Sequence, residues 1–156
     1  MKFSEMPYVR PDLEQVREEG TAYVQALINA ADFAQADAAF HQYSDMGDRV
    51  STAVTLVSIR HSINTEDAFY AKEQEVLDEM TPLLQQLDAE FNKALYNSKF
   101  RPQFTEKYGE LLFTNLGIQL RAFDEKLIPD MQEENKLVTA YNKLIASAQI
   151  PFEGKT

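Results

Sequence analysis

Four side chains are the first candidates for chemistry: His41, His61, Arg60 and Glu73. The two histidines lie twenty residues apart, and neither belongs to a His-Glu-x-x-His or Glu-x-x-His pattern. A zinc site needs three or four donors converging on one point, and a bundle di-metal site needs Glu-x-x-His pairs. No catalytic, cofactor-binding or metal-ligating residue is therefore assigned in this chain. His41 is expected on the surface and His61 as a hydrogen-bonded histidine in the core or at its boundary. Glu73 has apolar neighbours at helical spacing, where an unpaired carboxylate is costly or takes up a proton. A structural buried pair of Arg60 and Glu73 is predicted, with Tyr70 or His61 as second contacts, fixing the register of a helical hairpin. Glu134 falls on a similar stripe, so nearby Lys or Arg partners are expected for it too. There is no cysteine, no Gly-rich phosphate loop and no recognisable Ser-His-Asp set.

The elements that must position these groups are helical throughout. Residues 1–10 form an extended arm held by Pro7, and Pro11 opens a helix over 11–30 with Gly20 inside it. Asp32 caps a second helix over 33–63. Its residues Phe33, Ala36, Phe40, Tyr43, Gly47, Val50, Val54, Val57 and His61 form a seam at spacings of three and four, which predicts a partner helix at a shallow angle. Gly47 is where that partner is expected to come closest. Thr65 is expected to cap a third helix over 66–97, bent near Pro82. Shorter helices are predicted over 102–108 and 110–123. A last helix over 125–148 carries Met131, Glu134, Val138, Tyr141 and Ile145 as a third stripe. Residues 149–153 then switch to an alternating pattern read as a short strand entering a turn, with no return strand encoded. The fold class is thus all-α, a helical hairpin or bundle of about six helices with a short C-terminal extended strand, in one domain. The unpaired strand predicts that the chain is a portion of something longer.

Composition narrows the function classes. The 156 residues carry a formal net charge of −10, with 44% hydrophobic and 26% charged residues. An acidic chain without a basic run does not suit a phosphate backbone, so no nucleic acid is expected. No run approaches the ~20 apolar residues of a membrane span, and the N-terminus has no signal-peptide core. A cytoplasmic protein follows as the expectation.

The elbow Ile59-Arg60-His61-Ser62-Ile63-Asn64-Thr65-Glu66-Asp67-Ala68-Phe69-Tyr70-Ala71-Lys72-Glu73 resembles the N-terminal region of oligoendopeptidase F-type enzymes, relatives of thimet oligopeptidase. Pro129 to Leu137, Tyr141 to Thr156 and the opening Met1 to Tyr8 are similar as well. The resemblance implies a longer, mostly helical zinc metallopeptidase whose deep channel admits short oligopeptides. In that family the zinc ligands are two His of a His-Glu-x-x-His helix and a later Glu, none of which has a counterpart here. This chain would then form one channel wall, inactive alone, without a cofactor of its own. Zinc is expected in the parent, and the missing catalytic part as its partner. Apolar faces meant for that part are expected to drive self-association. The competing reading is a free-standing acidic helical module that binds another protein through its heptad faces.

Overall fold

A computed structural model describes residues 3–148, and the strand expected over 149–153 lies outside them. A 3-10 turn, Phe3–Glu5, is followed by an extended arm and by α1, Leu13–Asn29. Then come α2, Phe33–Ile63, and α3, Ala68–Tyr96, the two long helices of the hairpin. The chain continues through α4, Arg101–Tyr108, and α5, Glu110–Ala122. A second 3-10 turn, Glu125–Leu127, leads into α6, Ile128–Ala146. The described residues contain helices and no strand, as the sequence pattern implied.

Capping explains most boundaries. Asp12 accepts from the N–H groups of Glu14 and Gln15, so α1 starts two residues after Pro11. Asp32 accepts from the Gln35 N–H, as its sequence position suggests. The third helix departs from expectation. Its cap is Asp67, which accepts from Phe69 and Tyr70, and Thr65 lies in the turn before it. A carboxylate outcompetes a hydroxyl at that position because it adds charge to the hydrogen bond and meets the positive end of the helix. Gly109, at φ 87°, takes the left-handed backbone that turns α4 into α5.

The helices do not form a simple two-helix seam. α1 packs against both α2 and α3, so α2 buries a face wider than its heptad stripe. Ala36, Ala39, Tyr43, Met46, Ala53, Leu56 and Val57 are its buried apolar residues, and Gly47 is only half-buried. The close approach is at Gly20 of α1, where a Cβ would lie 2.5 Å from a Leu87 methyl; nothing lies within 4 Å of such an atom on Gly47. Tyr43 stacks on Phe91, ring centroids 3.8 Å apart, and Phe104 of α4 is fully enclosed in the same core. A second cluster, Val57, Leu77 and Met80, fills the elbow end beneath Tyr8, Leu13 and Tyr70.

α6 is built the opposite way round from an ordinary surface helix. It buries no residue, and the side it presents to α3 carries polar groups. The cause lies in α3. Pro82 is buried inside that helix and offers no N–H, so the Asp78 carbonyl loses its helical donor. Asn135 Nδ2 of α6 donates to that carbonyl at 3.1 Å, and Gln132 Nε2 donates to the next one, Glu79 O, at 2.8 Å. Lys136 pairs with the Glu79 carboxylate at 3.1 Å. Leu137, Val138, Tyr141, Leu144 and Ile145 are left exposed, Leu144 at 67%. Met131, at the start of the third stripe, is half-buried, and from Val138 on the stripe faces away from this domain.

Candidate functional site

The elbow gathers the groups singled out from the sequence, with partners that differ from the expected ones. Glu73 is 3% exposed and both of its oxygens are engaged. The partner cation is Arg10, from the extended arm. Its Nε donates to Glu73 Oε2 at 2.8 Å and its Nη2 donates to Glu73 Oε1. Tyr8 Oη donates to Oε2 at 2.6 Å. These hydrogen bonds from Arg10, opposed by burial and reinforced by Tyr8, hold the Glu73 carboxyl below the usual carboxylate range. Burial and the adjacent carboxylate push the Tyr8 phenol up.

Arg60 is not the partner of Glu73. It uses its guanidinium on the arm's backbone instead, donating to Phe3 O at 3.2 Å and Met6 O at 2.6 Å through Nη2. Its Nη1 donates to Tyr70 Oη at 2.7 Å, which is the Tyr70 contact expected, made to the other member of the supposed pair. The physical reason is competition between acceptors. The arm folded back over the elbow supplies a planar fork, Arg10, that matches a carboxylate bidentately, and leaves carbonyls that need a donor. Phe3 and Tyr70 rings flank the Arg60 guanidinium at 5.6 and 5.5 Å. The expected register pair between two long helices is therefore a latch that ties residues 3–10 to both.

The histidines stay apart. His41 Nε2 lies 2.9 Å from Tyr108 Oη, beside an Asp37 carboxylate that also binds Lys107 and Tyr108. Burial would raise the Asp37 carboxyl, and the Lys107 and Tyr108 hydrogen bonds bring it below its ordinary value. This exposed knot fastens α4 to α2. His61 is 8% exposed, and neither ring nitrogen has a hydrogen-bond partner among the described residues, unlike the bonded histidine expected. Glu134 is exposed on α6 and makes no ion pair among the described residues, because its side of the helix faces solvent.

A resident zinc ion would need donors that converge. Among the described residues no group of three or more His, Cys, Asp or Glu side chains could hold a metal. Glu73, the most enclosed carboxylate, spends its lone pairs on Arg10 and Tyr8. These residues do not fit a catalytic zinc. Nor is any helix of the described residues long and apolar enough to cross a membrane.

Tyr8 and Arg10 are the site residues that sequence reasoning missed. The available signal was a charged and an aromatic residue on an arm confined by Pro7 and Pro11. Arg10 and Glu73 stand 63 positions apart in the chain, so no local periodicity joins them.

The fold and its latch define a class: an all-helical domain in which an extended arm is tied across the elbow of two long helices. The chain belongs to the Peptidase M3 N-terminal domain family, which matches residues 3–123. It is similar to PZ peptidase A, solved with an inhibitor, at 35% identity and a TM-score of 0.96. A structure assigned as oligoendopeptidase F is 38% identical, and one from Bacillus anthracis str. Ames is 34% identical, both with TM-scores of 0.96. Each likeness covers 99% of this chain but only 27%, 27% and 28% of those proteins in turn. The chain thus spans about a quarter of the length of these solved relatives. No curated protein matches it.

Proposed function

We propose that this chain is the channel-wall, N-terminal scaffold of a longer oligoendopeptidase F-type zinc metallopeptidase that cleaves short peptides in the cytoplasm. The zinc and its ligands belong to the catalytic part that follows. The observation that carries the reading is α6: polar groups hold it to α3 while its apolar stripe, Leu137, Val138, Tyr141, Leu144 and Ile145, stands exposed. Solvent-facing stripes of this size mark surfaces with a partner. The relatives, nearly four times longer at 27% coverage, supply a natural one in their remaining chain.

The test uses the purified chain and the longer protein together. The 156-residue chain should cleave no short peptide and bind no stoichiometric zinc, while the longer protein does both. Turnover or tight zinc in the short chain overturns the reading. The exposed stripe also favours self-association of the short chain, seen as a dimer or larger species by light scattering; a strict monomer at high concentration counts against that part. The free-standing interaction module is the second reading, supported by the same stripe. A stop codon directly after Thr156 would favour it over the peptidase.

A further inference from the structure

A second polar site lies on the opposite end of the domain, over Gly117 of α5. We infer that the cleft between α4 and α5 binds a carboxylate, gripped by Arg101 and Arg121 with Tyr96 supplying a hydroxyl. The cleft is about 400 Å³ in volume. Arg101, in the first turn of α4, lies over two rings, its guanidinium carbon 4.3 Å from the Tyr96 centroid and 4.8 Å from that of Phe113. A guanidinium that rests over aromatic rings still has its N–H donors to offer. The floor is bare backbone. A Cβ on Gly117 would sit 3.7 Å from Tyr96 Oη and 3.9 Å from an Arg121 Nη, so both polar groups border the space that the missing side chain leaves.

What these groups lack points to the ligand. Neither arginine makes an ion pair among the described residues, and Tyr96 Oη makes no hydrogen bond there. This holds in a chain with 25 acidic residues against 15 Lys and Arg, where Arg10 and Arg49 do take carboxylates. Glu110 stands on the cleft wall and pairs with neither arginine. A planar fork seated over two rings, with a second cation and a phenol beside it, matches the two oxygens of a carboxylate. The carboxylate comes either from a free peptide or from an acidic side chain in the remainder of a longer protein. The chemistry is independent of whether that protein is a peptidase.

The experiment is a calorimetric titration with an N-acetylated dipeptide bearing a free C-terminal carboxylate, alongside the same dipeptide as its C-terminal amide. The 156-residue chain should bind the acid and lose at least about tenfold in affinity for the amide. Arg121→Gln, an exposed change that leaves the core alone, should weaken the acid to a similar extent. Arg101→Lys keeps the charge and removes the fork, and should weaken it as well. If the longer protein also binds the acid and Arg121→Gln weakens that binding, the peptide is the source; if the variant changes binding only in the short chain, a carboxylate of the remaining chain fills the cleft. Equal affinity for acid and amide, or binding unchanged in both folded variants, overturns the inference.

Discussion

Removing Glu73 tests the latch and its partner assignment together. Three hydrogen bonds end on its carboxylate, two from Arg10 and one from Tyr8. A buried bond to a charged group contributes roughly 1.5–3 kcal/mol. The Arg10 side chain is 48% exposed, which pulls its share towards the ~0.5 kcal/mol of a surface pair. Glu73→Ala should therefore cost about 2–4 kcal/mol, and no buried charge is stranded because Arg10 can swing into water. At roughly 2–4 °C per kcal/mol for a domain of this size, the melting temperature falls by about 5–15 °C. Thermal unfolding followed by circular dichroism reads that shift. Double-mutant cycles then assign the partner: coupling of Arg10→Ala with Glu73→Gln should exceed that of Arg60→Ala with Glu73→Gln by about 1 kcal/mol. Both arginines hold the same arm, so some indirect coupling through Arg60 is expected. Equal or larger Arg60 coupling, or a Glu73→Ala protein that melts within 2 °C of the parent (about 1 kcal/mol or less), would refute the latch.

The other predictions concern acid, glycine and proline. Because the Glu73 carboxyl is depressed in the folded protein, its contribution is fully present above the unfolded value of about 4.3 and is lost as pH falls through the lower folded value. The arm should then detach in acid, seen as faster proteolysis of residues 3–10 that Glu73→Gln shows already at neutral pH. Gly20→Ala gains about 1 kcal/mol of helix propensity but pushes a Cβ onto Leu87, an overpacking cost of about 1–3 kcal/mol, for a net loss near 1 kcal/mol in urea titration. Gly47→Ala meets nothing and should instead raise the melting temperature by roughly 2–4 °C. Replacing Gln132 and Asn135 together by Ala leaves the Asp78 and Glu79 carbonyls without their α6 donors; trypsin should cut at Lys136 and Lys143 on the order of tenfold faster.

The helices and most of their ends were legible because they are written locally. Asp32 sits directly before its helix, and Pro11 and Asp12 open α1. A heptad stripe states that a face is apolar without stating what covers it. The stripe on α6 was legible as apolar, whereas the contact by which Asn135 reaches a carbonyl freed by Pro82 was not. Pro82 was legible as a break in the helical hydrogen bonding, and the freed Asp78 carbonyl is where the rest of the fold responds. Glu73 was legible as a carboxylate needing a cation, from its apolar neighbours. The choice between Arg60 and Arg10 was not, because it depends on where the arm of residues 3–10 folds back.

The central claim is that α6 belongs to an interface between this domain and the chain beyond it. Amide hydrogen exchange at Leu137, Tyr141 and Leu144 tests it most directly, compared between the 156-residue chain kept dilute and the longer protein. The account predicts exchange at least about tenfold slower in the longer protein, since burial of the stripe suppresses local opening. Equal rates in the two forms would contradict it.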